Sequence, residues 1–240
     1  MTHSPDRTLL NQIEIRLTRS EDADELEVLT GIIYHCNPRE DAACFTADHY
    51  RQHVQVFPEA QFVAVDTTTG QLVGLTSGMR MHYDPARPPL MSWWELVGNG
   101  WLTTHEPRGE WMYGVESAVH PDYRGYGVGS RLMDARFNVV REMNLRGMVA
   151  GSAIIDYAAV ADQIPVETYV AEVVAGERFD TNLSKQLHKG FRAVQIIPNY
   201  LPDPETAGYG VLIVCENPQV HPPQKAQHRG TGLYPANPLL

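Results

Sequence analysis

Residues 120 to 130 read His-Pro-Asp-Tyr-Arg-Gly-Tyr-Gly-Val-Gly-Ser, placing Gly125, Gly127 and Gly129 at alternate positions just before an apolar-striped segment. Glycines directly between a strand and a helix let backbone N–H groups converge on an anion, where the helix dipole also favours negative charge. The chemistry implied is binding of a phosphate-bearing ligand; a tight turn with no ligand is the plainer alternative. Spacing separates the kinds of loop. A P-loop needs Lys-Ser/Thr after its last glycine, whereas Gly129 is followed by Ser130-Arg131. A dinucleotide fingerprint needs G-x-G-x-x-G and an acid about 20 residues on, whereas these glycines run G-x-G-x-G and no acid ends a following strand. A second set, Cys36, Cys44, His49 and His53, invites a zinc reading, because the two histidines lie one helical turn apart. The two cysteines are wider apart than usual ligand pairs, so a solvated helix face with small buried thiols is preferred and no metal is expected.

The elements that must position these residues are legible from periodicity. Ile13, Ile15 and Leu17 alternate with polar neighbours as in a half-buried strand. Ser20 is placed to cap a helix carrying Leu26, Leu29 and Ile33, with Glu21, Asp22 and Asp24 in its first turn. A second helix is expected from Thr46, with Tyr50, Val54 and Phe57 on one face and Pro58 ending it. QFVAVD and QLVGLTSGM, separated by a polar segment ending in Gly70, read as strand, turn, strand. Residues 82 to 110 break the pattern: this Pro-rich and Trp-rich insertion is too long for an ordinary connection. EWMYGVESAV then reads as a buried strand before the glycine segment, and Leu132, Met133, Phe137, Val140 and Met143 stripe the helix after it. GMVAGSAII is the next strand, Pro165 opens a helix that Gly176 ends, a short helix starts near Thr181, and FRAVQII and GVLIVC close the fold. Strands and helices interleave as in α/β or α+β folds, within a single domain spanning 1–217. Residues 218–240 lack periodicity and read as a poorly ordered Pro-rich tail.

The segment resembles motif A of the GCN5-related N-acetyltransferases (GNAT), Arg/Gln-x-x-Gly-x-Gly/Ala after a strand ending in Val-x-Pro. Arg124, Gly127 and Gly129 fill the pattern, and Val119 and Pro121 fill its lead-in. Element order and the late Gly190-Phe191 extend the likeness over residues 13 to 216. The stretches YAAVADQIPVETYVAEVVAGE, QLHKGF, IIPNYLPDPETAGYGVLIVCENP and WWELVGNGWLTTHEP are most similar to acetyltransferase domains fused to nitrilase-type carbon-nitrogen hydrolases. The resemblance implies the GNAT fold: a mixed, mostly antiparallel twisted sheet of about six to seven strands, flanked by helices and splayed where acetyl-CoA binds. It also implies that Ala118 and Val119 hold the pantetheine arm, and that Arg124, Gly125, Tyr126, Gly127, Val128, Gly129 and Ser130 hold the pyrophosphate.

The implied reaction is direct attack of a primary amine on the acetyl-CoA thioester. The attacking amine must lose a proton and the thiolate gains from an acid. Glu116, on the strand beside motif A, is the candidate base, directly or through water; pairing with an arginine or holding a substrate ammonium is the equal alternative. Many family members carry a Tyr acid four residues before the late Gly-Phe, where this chain has Gln186. Tyr157 is the chosen replacement, ahead of Tyr169 and Tyr126. Trp93, Trp94, Trp101, His105 and Glu106 are candidates for a wall over the acceptor, or else for packing against the sheet or a second copy in a homodimer. The missing tyrosine keeps a second class of function open: an acetyl-CoA-binding sensor without turnover.

Composition bounds these readings. The 240 residues carry 19 Lys and Arg against 29 Asp and Glu, a net charge of -10, which argues against a nucleic-acid surface. Residues 120–146 depart from this, holding Arg124, Arg131, Arg136, Arg141 and Arg146 against Asp122, Asp134 and Glu142. The phosphate-rich ligand thus meets the least acidic stretch, and the acidic remainder suits a cationic amine, whether a small molecule or a peptide. Three cysteines without C-x-x-C spacing suggest no disulfide framework. With no signal-like start and no long apolar run, a cytoplasmic protein away from membranes is expected.

Overall fold

The computed structural model describes residues 10–41 and 44–221. In chain order the elements are β1 (Ile13–Leu17), α1 (Ala23–Tyr34), α2 (Ala47–Val56), β2 (Phe62–Asp66), β3 (Leu72–Met81), α3 (Trp93–Leu96), β4 (Trp111–Val119), α4 (Val128–Glu142), β5 (Gly147–Ala153), α5 (Val166–Ala175), α6 (Leu183–His188), β6 (Arg192–Ile197) and β7 (Gly210–Glu216). The seven strands form one open sheet in the order β1-β2-β3-β4-β5-β7-β6. Every neighbouring pair is antiparallel except β4 and β5. A parallel neighbour needs a crossover, and α4 supplies it.

Side chains on a strand alternate between faces, so the sheet carries two cores. One face packs α1, α2 and the 82–110 insertion, through Leu26, Leu29, Tyr50 and Phe45 against Trp111, Tyr113 and Val149. The opposite face packs α4, α5 and α6, through Val139, Tyr169 and Leu183 against Met112, Met148 and Ala150. Two irregularities decide where the site forms. The β4–β5 ladder holds only Met112↔Met148, Tyr113↔Val149 and Gly114↔Ala150, after which the strands diverge. On the other edge of β4, Ser77 pairs with Glu116 but Gly78 pairs with Gly114, so Val115 is an extra, bulged residue.

Several expectations need correction. Ser20 does not cap α1: residues Ser20–Asp22 form a 3-10 turn, and the Asp22 carboxylate receives Arg16 at 2.7 Å instead. The α2 histidines do not lie on a solvated face. His49 Nδ1 accepts the Thr46 backbone N–H at 3.0 Å, and its ring lies 4.2 Å from that of Trp101. His53 is 1% exposed and donates from Nε2 to the Gly100 carbonyl at 2.7 Å. Burial holds its imidazole down to about 4, so it is a neutral donor at physiological pH. Cys36 and Cys44 are not thiols; they are joined in a disulfide across the α1–α2 connection, and Cys215 is the free cysteine among the described residues. Residues 218–221 of the expected tail are placed, His221 exchanging hydrogen bonds with Asn144. Residues 222–240 lie outside the described residues.

Candidate active site

The glycine segment forms a tight loop that leads into an uncapped helix start. After β4, His120–Tyr123 make a turn whose Tyr123 hydroxyl donates to Asp66 at 2.8 Å, tying the loop to the β2–β3 hairpin. Gly125 (φ 83°) and Gly127 (φ 88°) then take left-handed conformations that side chains resist, and Gly127 sits at the N-cap of α4. No side chain caps this helix and its first turn holds no acid. The opening N–H groups of a helix have no partner within it, so those of Val128, Gly129 and Ser130 project along the axis toward an incoming anion. The arginine nearest the helix start serves the scaffold: Arg131 donates to the carbonyls of Leu10 and Ile13 at 3.0 and 2.6 Å. Arg124 turns back as well, its Nε donating to the Val119 carbonyl at 3.1 Å. Val119 and Ala118 pair with Gly74 and Leu75 of β3 while their other edge faces the divergence from β5. These features suit acetyl-CoA: an uncapped helix end for pyrophosphate lies beside a strand end that has parted from β5, where Arg124 occupies the Val119 carbonyl.

Glu116 lies one strand-length upstream and is 8% exposed. Strict alternation would place it with Met112 and Gly114 on the α4 face. The extra residue at Val115 reverses the alternation, so Glu116 and Ala118 face α1 and α2. There the Tyr50 hydroxyl, 2.5 Å from Thr30 Oγ1, donates to Glu116 Oε2 at 3.3 Å. Tyr34, at the end of α1 and half exposed as a residue, also stabilises the ionised carboxylate. Burial pushes the Glu116 carboxyl up to about 7, against the two tyrosines and the Arg136 charge, which favour ionisation. Arg136, on α4, is 3% exposed and donates to the backbone carbonyls of Ser77, at 2.7 Å, and Glu116. Burial lowers its guanidinium to about 10, opposed by Glu116, so it stays charged at neutral pH. The bulge is therefore gripped from both faces of the sheet. Trp93, in the insertion, donates from its indole N–H to the Val115 carbonyl at 2.9 Å.

The divergence of β4 and β5 is wedged by Tyr200, in the β6–β7 loop. Its hydroxyl lies 3.0 Å from that of Tyr113 on β4 and 3.3 Å from the Gly151 carbonyl on β5, just past the last ladder pair. Gly151 is needed there because a Cβ would meet the Tyr200 hydroxyl at 2.0 Å.

The remaining sequence candidates scatter. Tyr157 does not join Glu116: its hydroxyl donates to the Ile164 carbonyl at 3.3 Å and its ring packs with Tyr169 and Tyr209 in the opposite core. Tyr126 is half-buried in the glycine loop, and Tyr169 donates to Asp180 at 2.8 Å. Gln186 carries a buried Oε1 with no protein partner. Trp93 stacks on Phe45, Trp94 meets the same ring edge-on and Trp101 lies tilted against His49, so the three pack the insertion against the α2 region. His105 accepts the Arg80 N–H at 3.1 Å, and Glu106 accepts that of His82. Sequence reasoning missed Tyr34, Tyr50 and Arg136 as site residues; a tyrosine on the inward face of α2 was the available signal for Tyr50. Among the described residues no three His, Cys, Asp or Glu side chains gather to hold a metal, and no helix is long and apolar enough to cross a membrane.

Comparison with known proteins agrees with this fold. YhcX of Bacillus subtilis, named a probable hydrolase, is 34% identical over 183 residues, 75% of this chain. The chain spans about a third of YhcX, 35% of its length. YkwB of the same organism, named an uncharacterized N-acetyltransferase, is 28% identical over 208 residues, 86% of this chain and 91% of YkwB. The GNAT-like decarboxylase GphF, solved with isobutyryl-CoA, superposes with a TM-score of 0.69 at 24% identity, covering 85% of this chain and 98% of GphF, a likeness of fold. The Acetyltransferase (GNAT) family model matches residues 30–161, more than half of the sequence. An uncapped α4 start, a sheet splayed beside it and a buried carboxylate near the splay accompany this match, and the chain belongs to the Acetyltransferase (GNAT) family.

Proposed function

We propose that the protein transfers the acetyl group of acetyl-CoA to a primary amine, with Glu116 accepting the amine proton directly or through water. The observation that carries this reading is Glu116 itself: a buried carboxyl at the strand divergence, with a pKa of about 7. A base is most effective when its pKa lies near the working pH, which leaves a large deprotonated fraction and a real drive to take a proton. Acetyl-CoA supplies the activated thioester carbonyl. The residues that hold it are the Val128, Gly129 and Ser130 amides with the Arg124–Gly127 loop at the pyrophosphate, and Ala118 and Val119 along the arm. The acceptor enters from the α1–α2 side, where Tyr34 is half exposed, and the chain's overall acidity favours a cationic amine. A small amine and a peptide amine both fit that description.

Tyr157 is tied to Ile164 in the opposite core, so the leaving thiolate takes its proton from solvent or from the Glu116 and Tyr50 pair. The second reading, a sensor that binds acetyl-CoA without turnover, is favoured by Gln186 at the position of the usual tyrosine. Binding is tested with Gly127→Glu. Acetyl-CoA raises the Tm of the wild-type protein, because a ligand of the folded state stabilises it. The variant loses this rise through steric and charge conflict with pyrophosphate. An unchanged rise refutes the placement, and no rise in the wild type refutes both readings.

A further inference from the structure

The bulge at Val115 places Glu116 on the α1–α2 face, so whatever holds the bulge holds the base. Three side chains do so. Arg136 and Thr76 Oγ1 bond the Glu116 carbonyl, Thr76 at 2.8 Å, and Arg136 also bonds Ser77 across the register break. The third, Trp93, takes the carbonyl of the bulged residue itself. An unmatched residue leaves the ladder one backbone group short, and a buried carbonyl without a donor costs about 1–3 kcal/mol by general experience. Trp93 is suited to this task because it is fixed from other directions. Its backbone N–H donates to the Tyr200 carbonyl at 2.9 Å, linking it to the residue that wedges β4 from β5. Its ring stacks on Phe45 at 5.3 Å with an interplanar angle of 27°, and Ser92 caps the short helix it opens.

We propose that Trp93, supplied by the 82–110 insertion, is a positioning residue for the reaction: its indole N–H fixes the Val115 bulge and thereby aims the Glu116 carboxylate into the α1–α2 face. This rests on the reading of Glu116 as the base, but it concerns where that carboxyl is held. The insertion is then part of the catalytic scaffold and not only a wall for the acceptor. The titratable and charged groups that act on the carboxyl are Tyr34 on α1 and Tyr50 on α2, with Arg136 on α4 acting through charge from the other face of the sheet; deleting the indole N–H leaves all three side chains unaltered.

The test is Trp93→Phe, which keeps an aromatic ring against Phe45 and deletes the donor. Replacement by β-(3-benzothienyl)alanine through nonsense suppression does the same with the full bicyclic shape, should the smaller ring fail to fold. The readout is the NMR titration of the Glu116 side-chain carboxyl carbon, assigned with Glu116→Gln, followed by steady-state kinetics. Freed from the bulge, the carboxyl gains water, and its titration midpoint falls by at least one pH unit toward ordinary glutamate values in either variant. Trp93→His, which restores a ring N–H, moves it back toward wild type. In the kinetics kcat falls about tenfold while KM for acetyl-CoA stays within twofold. A wild-type titration in the donor-less variant overturns the proposal, whatever its stability. Because the titration needs no turnover, it is independent of whether Glu116→Gln abolishes activity, which is the separate test of the base.

Discussion

At the scale of single residues, the account turns on one buried carboxyl and the cost of ionising it. Moving Glu116 from 4.5 to about 7 corresponds to roughly 3 kcal/mol against the charged form, from about 1.4 kcal/mol per pH unit. For an acid whose folded pKa is raised, the unfolded chain releases its proton first, so stability falls as pH rises through the window from 4.5 to 7. Glu116→Gln removes that penalty. The expected result is a variant that is more stable than wild type at pH 8 and gains little at pH 4.5, the difference growing by about 3 kcal/mol or less across the window. Denaturant unfolding at the two pH values measures it, and a gap that does not widen with pH contradicts the buried, raised carboxyl. His53 runs the other way: its lowered pKa makes neutrality the favoured folded form, a contribution present above pH 6.5 and lost as pH falls toward 4. Comparing variant with wild type cancels this shared term.

At the scale of elements, the site exists because two strands part and one strand bulges. Gly151→Ala tests the parting. Its Cβ would lie 2.0 Å from the Tyr200 hydroxyl and 2.1 Å from the adjoining ring carbon, both near the Tyr113 hydroxyl. Overpacking of this kind costs about 1–3 kcal/mol. A loss of that size in denaturant unfolding, with a smaller Tm rise on adding acetyl-CoA, is expected; an unchanged stability shows that the wedge is not held there. The strands and helices themselves were legible, because a period of 2 in Ile13–Leu17 and of 3.6 in Leu132–Val140 survives in composition alone. The motif loop was legible because only glycine suits positions 125 and 127. The bulge was not: Trp111–Val119 has an apolar residue at nearly every position, so no alternation betrays the extra Val115. For the same reason the partners of Glu116 were hidden, since Tyr50 lies 66 residues away on a helix facing the reversed side. His49 and His53 read as polar because the rings that bury them, Phe45 and Trp101, come from a preceding turn and from the insertion.

At the scale of the whole molecule, charge and topology set the proposed cofactor loop apart from the proposed base. The segment from 120 to 146, basic within a chain of net charge -10, follows directly on β4, whose Glu116 faces Tyr50 of α2. The 82–110 insertion and the Cys36–Cys44 bridge both lie on the side of the proposed acceptor. Binding and turnover are separable at this scale, since the proposed pyrophosphate loop precedes α4 and Glu116 sits on β4. The most direct measurement is therefore release of CoA thiol from acetyl-CoA against a panel of small amines and peptides, from pH 5.5 to 9, for wild type and Glu116→Gln. The account predicts release with at least one amine, rising through about pH 7 and falling at least a hundredfold in the variant. Acetyl-CoA that stabilises the protein yet yields no thiol with any acceptor, or a rate indifferent to Glu116→Gln, would contradict it.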